Sequence, residues 1–280
     1  MHDPWAALSP SPWQMFHLHS CNQRGVVPPV LWTQGLHAQR PPWKRYRGVP
    51  TQPLAVPEAP AATLRDALDQ RRSCRRFDAD GCDADGLASL LHLAYGPPPE
   101  GAIDAPLLST ETRTVPSGGG RFPLELYVLA RRVAGVPAGL HHYDVPGHHL
   151  AQLRGPMPWD RIVDLFLGQP PLREAAGIVV ITAVTHRTLA RYGERGYRML
   201  LLEAGHLGQN LTLAAAGLGL GSLCLAGFFD GDLAMLLGLD PAVELPLYAV
   251  AFGAPGSDDP VTARLPWTMD TAAGDDRDAR

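Results

Sequence analysis

Leu87, Leu90, Leu91 and Ala94 recur at three- and four-residue spacing, which predicts a helix over about 84–95 with one apolar face. The stretch TLRDALDQRR predicts an earlier helix, with Thr63 as its cap and Asp66 completing a capping box three positions on. PLELYVLARR and LPLYAVAFGA read as strands, and GIVVITAV is apolar without alternation, as expected of a strand buried on both faces. GLHHYDVPGHHLAQL predicts a hairpin turning at Pro146-Gly147. Further helices are expected near 158–167, over about 196–217, and near 231–237. Helices and strands mix without strict βα alternation, so the pattern implies an α+β fold with a helix-flanked sheet.

The two ends of the chain lack this periodicity. Residues 1–60, with stretches such as VVPPVLW and QRPPWKRY, predict an extended arm crossing other surfaces. Residues 61–268 form the expected main unit, and MDTAAGDDRDAR, residues 269–280, is expected to be a disordered tail. Composition narrows the function classes. A net charge of −4 gives no basic face for nucleic acid, and no apolar run approaches membrane-spanning length. The N-terminus lacks the layout of a signal peptide. Cys21, Cys74, Cys82 and Cys224 are scattered without CxxC spacing, as expected of reduced thiols in a cytoplasmic protein.

Several stretches carry candidate chemistry. In RRSCRRF, Arg71, Arg72, Arg75 and Arg76 surround Ser73 at a predicted helix end. Guanidinium groups bind phosphate bidentately, although such a cluster also suits a solvated helix terminus. In RTVPSGGGRFPLELYVL, the glycines after Ser117 precede a strand and no Lys-Ser/Thr follows them. They therefore make neither a phosphate-binding P-loop nor a Rossmann turn; on local pattern they read as an ordinary turn, or as a bare backbone that a flat or anionic ligand can approach. GLGLGS ends a helix rather than opening one, which favours a C-cap with close packing. Glu203, His206, Gln209 and Asn210 line one helix face, and a buried polar network or a subunit interface explains them best. The pairs His141/His142 and His148/His149 supply too few convergent ligands for zinc, and no metal centre is expected.

In order, RRSCRRF, RTVPSGGGRFPLELYVL, GLHHYDVPGHHLAQL, RYGERGYRMLLLEAGHLGQNLTLAAAGLGL and LPLYAVAFGAP resemble the SagB-type dehydrogenase branch of the nitroreductase superfamily, the FMN-dependent azoline oxidases of peptide natural-product pathways. HLHS near 17–20 is a weaker N-terminal echo. The resemblance implies a nitroreductase-like mixed β-sheet flanked by helices, in an intertwined homodimer with FMN at its interface. It implies that Arg71, Arg72, Ser73 and Arg75 contact the FMN phosphate and ribityl chain. Pro116, Ser117, Gly118 and Gly119 are implied to lie against the isoalloxazine ring, and Leu223–Gly227, including Leu225, Ala226 and Gly227, to meet the flavin from the other side. Arg264, in TARLP, resembles a late phosphate-binding residue.

At RYGERGYR this sequence departs from the family, whose matching position carries a catalytic Lys-Tyr pair where this chain has Arg191-Tyr192. Arginine does not act as a base. Either Tyr192 is the base and Arg191 stabilises the tyrosinate, or the site performs another flavin-dependent reaction. The expected function is an FMN-dependent oxidase or dehydrogenase of a peptide-borne or amino-acid-derived substrate, within or beside a complex of modifying enzymes. The alternatives are an NAD(P)H-dependent reductase and a flavin-free peptide-binding scaffold.

Overall fold

The structure, a computed structural model, describes residues 12–21, 43–56, 62–97 and 112–257. Its centre is a seven-stranded sheet. The strands are β1 (Thr51–Pro53), β3 (Leu124–Ala130), β5 (Gly139–Asp144), β6 (His149–Arg154), β7 (Gly177–Val184), β8 (Gly221–Leu225) and β9 (Glu244–Gly253), in the order β1-β6-β5-β3-β7-β9-β8. Every ladder in this sheet is antiparallel. Among the described residues, parallel pairing is confined to the small ribbon of β2 (Cys82–Asp83) with β4 (Val133–Ala134) and to a bridge between Ser73 and Ser222.

β7 is buried along its whole length, as its continuous apolar run requires, because β3 and β9 flank it and both of its faces are covered. Strand alternation sorts the core into two layers. Leu124, Leu126 and Val128 of β3, with Val179 and Ile181 of β7, pack towards α3 (Ala84–Tyr95) and α6 (Arg195–Gly217). Tyr127, Leu129, Ile178 and Val180 face the other way, towards α4 (Trp159–Leu165) and α7 (Asp230–Leu237). Truncating a side chain such as Leu126, which is fully buried, would cost about 2–5 kcal/mol.

Local chemistry sets the helix ends. The capping box forms as expected, with Thr63 Oγ1 accepting from Asp66 N at 3.1 Å and Thr63 N donating to Asp66 Oδ2 at 2.9 Å. That helix, α2 (Leu64–Gln70), is shorter than the sequence suggested: Arg71 leaves it at φ −54°, ψ 118°. RRSCRRF thus begins at the C-cap of α2, as expected of a helix end, and runs on as an extended segment beside β8, with Cys74 and Phe77 pointing into the core. At the end of α6, Gly219 (φ +71°) is the left-handed residue of a Schellman motif: Leu220 N donates to Ala215 O at 2.8 Å and Gly219 N to Ala216 O at 3.2 Å.

Within residues 1–60 the structure adds what periodicity does not predict: a helix α1 (Pro12–His19) and strand β1, which extends the sheet through β6. It also adds α5 (His186–Tyr192) and strand β8. Arg264 and the expected tail lie outside the described residues.

Candidate active site

The Pro-Ser-Gly-Gly loop enters β3 from a short 3-10 turn over Gly118–Gly120. Gly119 and Gly120 both have φ +63°, a conformation that strains any residue with a Cβ. Ser117 organises the turn: its Oγ accepts from Phe122 N at 2.8 Å and donates to Glu203 Oε2 at 2.7 Å. The Gly118 amide also donates to Glu203. A Cβ on Gly118 would strike Met199 Cε, and one on Gly119 would strike Tyr192 Oη and stand 3.3 Å from Arg191 Nη1. The fold thus brings the predicted loop onto the predicted Arg191-Tyr192 pair. The missing Cβ atoms make room for the protein's own side chains, while Pro116 and Gly119 remain exposed on the outer side.

Arg191 and Tyr192 close α5, and Gly193 (φ +53°) separates them from α6. The Arg191 guanidinium lies 5.3 Å from the Tyr192 ring centroid. Both side chains are half-buried, so they are fixed by packing yet reachable from solvent. The first turns of α6 also hold the HLHS segment. Arg198 donates to His17 O at 3.2 Å, Arg195 donates to Ser20 O at 2.9 Å, and Phe16 packs edge-on against Tyr197 at 5.5 Å.

Glu203 is the site residue that sequence reasoning placed elsewhere. It is 4% exposed and, as the only acidic side chain of α6, sits among Leu200, Ala204 and Leu207. Burial pushes its carboxyl up to about 7, against the lowering effect of Ser117 and Gly118. Oε1 has no partner among the described residues. The predicted polar face of α6 divides: Asn210 donates to Ala94 O at 3.2 Å, while His206 and Gln209 are exposed. A carboxylate alone in an apolar helix stripe was the available signal.

A second group of predicted residues gathers at β8. Cys74 N donates to Ser222 O at 2.8 Å, which leaves Arg71 and Ser73 half-buried and Arg72 and Arg75 exposed along this edge. Neither Arg71 nor Arg72 pairs with a carboxylate among the described residues. At the far end of β8, Leu225 is buried and Ala226 exposed, and Gly227 O accepts from Gln169 Nε2 at 3.4 Å. The predicted residues thus form two clusters, one at the loop with α5 and α6, the other along β8.

The nitroreductase family model matches residues 68–254, spanning both clusters and the sheet between them. This chain belongs to the nitroreductase family. The chain is 30% identical over 203 residues to the Methanocaldococcus jannaschii protein named as nitroreductase MJ1384, covering 72% of this chain and 96% of that one. It is also similar to the microcin B17-processing protein McbC of Escherichia coli, 29% identical over 191 residues, covering 61% of this chain and 64% of McbC. The trifolitoxin-processing protein TfxB of Rhizobium leguminosarum is 32% identical over 146 residues, covering 47% of this chain and 37% of TfxB. Among solved structures, a nitroreductase from Anabaena variabilis superposes with a TM-score of 0.70 at 27% identity, over 87% of this chain and 47% of that one. The E. coli microcin synthetase McbBCD complex, solved with truncated pro-MccB17 bound, shares the fold at a TM-score of 0.59 and 21% identity, over 91% of this chain and 95% of that one. The expected nitroreductase-like α+β fold is therefore the observed one.

In this nitroreductase-family chain the histidine pairs serve the fold. His142 Nε2 lies 2.8 Å from Glu125 Oε2, His141 Nε2 lies 2.8 Å from Pro137 O, and His148 lies within hydrogen-bonding distance of Tyr143 and the carbonyl of Ala55. No group of three metal-ligating side chains forms among the described residues. Glu125 also pairs with Arg187 at 2.6 Å. Burial pushes the Glu125 carboxyl up, but His142 and Arg187 together hold it below its ordinary value. Nearby, Lys44, within residues 1–60, pairs with Glu244 at 2.6 Å, which fastens this stretch to β9. No helix among the described residues is long and apolar enough to cross a membrane.

Proposed function

We propose that this chain is an FMN-dependent oxidase or dehydrogenase acting on a peptide-borne or amino-acid-derived substrate. The observation that carries the reading is the placement of Tyr192 Oη and the Arg191 guanidinium against the exposed, bare backbone of Gly119. The residues fit a flavin mononucleotide. A flat ring needs an open backbone surface, and a phosphate needs arginines not neutralised by carboxylates, as Arg71 and Arg72 are among the described residues. Similarity to proteins that process microcin B17 and trifolitoxin supports a peptide substrate and work beside other modifying enzymes.

Bound FMN would supply the hydride acceptor for an azoline-to-azole oxidation. The chain's own residues do the rest. Tyr192 takes the substrate's acidic α-proton at Oη, and Arg191, which stays cationic, stabilises the phenolate so formed. Ser117 and Glu203 hold the loop, and Arg71, Arg72, Ser73 and Arg75 hold the phosphate. Arg264 joins them in this reading. The two clusters would meet across a homodimer. The exposed Leu201 and Leu202 of α6, beside a groove of about 280 Å³ that includes Gly205 and Tyr248, suit a second copy. A cytoplasmic protein of this kind would have residues 61–268 as its catalytic unit.

Tyr192→Phe tests the assignment: the variant should retain FMN yet lose substrate-driven bleaching of the flavin, and retained turnover would refute Tyr192 as the base. The similarity to MJ1384 favours a second reading, an NAD(P)H-dependent reductase. Anaerobic mixing separates the two, since rapid bleaching by NADH or NADPH excludes the oxidase reading. A colourless preparation that takes up no FMN favours a peptide-binding scaffold.

A further inference from the structure

Glu203 lies behind the loop, not on its open side, and the reaction sketched above does not consume it. Its surroundings are unusual for a carboxylate. The groups facing it are the Ser117 hydroxyl and Gly118 amide from the loop and, from α3, the buried Tyr95 phenol, which the nearby carboxylate and burial both push up. No cation pairs with it among the described residues. Arg113, close to Tyr95, is directed to the aromatic rings of Trp43, Tyr95 and Phe122. A carboxyl placed there must gain from the hydrogen bonds what it loses in hydration.

We propose that Glu203 is the positioning residue of the candidate site: through Ser117 and Gly118 it holds the backbone of Gly119 against Tyr192, and proton uptake at its carboxyl loosens that hold. The geometry fixes the direction of each bond. Ser117 Oγ already accepts from Phe122 N, so its single proton is directed to Glu203 Oε2. The carboxylate accepts this proton and the Gly118 amide together. Once Glu203 takes a proton from solvent, the carboxyl is neutral, and the bonds that Ser117 and Gly118 donate to it lose their charge-assisted strength. A two-point grip on residues 117 and 118 becomes weaker, and Gly119, in contact with Tyr192 and Arg191, shifts with it. The loop therefore has two proton states, the tighter at higher pH.

The carboxyl can be watched directly, without any cofactor. In protein labelled with ¹³C-glutamate, the carboxyl resonances are followed from about pH 5 to 9. One resonance should titrate near neutrality and be missing in Glu203→Gln. In Ser117→Ala its midpoint should move upward by about one pH unit, the loss expected for one charge-assisted hydrogen bond. Absence of such a resonance, or a midpoint unmoved in Ser117→Ala, overturns the proposal. A further arm rests on the function proposed above: in the FMN-loaded protein, the visible flavin spectrum should shift with the same midpoint, and Glu203→Gln should keep FMN but lose the shift. If the carboxyl titrates while the bound-flavin spectrum stays fixed, the coupling to the loop is overturned. If no FMN binds, the flavin reading fails, and the carboxyl arm still decides the role of Glu203.

Discussion

Replacing Glu203 by Gln keeps the shape and both acceptor contacts at one oxygen while removing an ionisable group from the apolar side of α6. In the folded chain burial lifts the carboxyl from 4.5 to about 7. The unfolded chain releases its proton near 4.5, whereas the folded chain holds it until about 7, so the folded state is favoured most below the unfolded value. Stability is lost progressively as pH rises through this window and stays lower above it. Each unit is worth about 1.4 kcal/mol, so the cost on completion is on the order of 3 kcal/mol. The Gln variant carries no such cost. It should nearly match the parent near pH 4 and be more stable near pH 8 by up to that amount. Urea unfolding followed by circular dichroism, at one fixed protein concentration, measures the difference. With a slope of about 2–3 kcal/mol/M, the midpoints should separate by roughly 1 M at the higher pH and coincide at the lower. An equal separation at both values would show that Glu203 is not a buried carboxyl with a displaced titration, and would refute the reasoning.

Other perturbations read other parts of the molecule. Gly119→Ala places a Cβ at φ +63° and against Tyr192 Oη, so it should cost about 1–3 kcal/mol. Amide exchange at residues 117–122 would then quicken, and exchange as slow as in the parent would contradict the placement. Arg72→Ala removes a guanidinium with no carboxylate partner among the described residues. Equilibrium dialysis should show FMN bound about ten- to a hundredfold more weakly, and unchanged affinity would remove Arg72 from the phosphate site. Glu125→Gln strips Arg187 and His142 of their buried partner and should destabilise the fold by about 3–5 kcal/mol, read as a lowered denaturation midpoint.

Much of the fold was legible because several segments carry their instructions locally. The spacing of Leu87, Leu90, Leu91 and Ala94 defines α3, which spans Ala84–Tyr95 as expected, and Thr63 with Asp66 starts α2 where it should. The unbroken apolar run of β7 required cover on both faces and received it. Strand β8 was not legible, because GSLCL follows a glycine-rich turn and becomes a strand only by pairing with β9. Helix α1 was equally hidden. Pro12 and Trp13 lie in a stretch without sustained period, and its C-terminal end is held by Arg195 and Arg198 from a distant part of the chain. The end of α2 misled for a related reason: Arg71 and Arg72 favour helix, but Ser73 and Cys74 are drawn to the edge of β8.

The sequence alone determined which residues are candidates for chemistry: arginines crowded around Ser73, three glycines in a row after Ser117, and Arg191 beside Tyr192. These are matters of residue type and short spacing, and they survive any rearrangement of the rest. Only the tertiary structure decided which of them meet. Gly119 reaches Tyr192 because α5 and the loop converge at one end of β3 and β7, and Glu203 joins them because α6 lies across that same face of the sheet. The elevated titration of Glu203 belongs wholly to that convergence. A glutamate in an exposed helix is an ordinary acid, and burial between a serine, a glycine amide and a leucine-rich layer makes it a group that changes charge near neutrality.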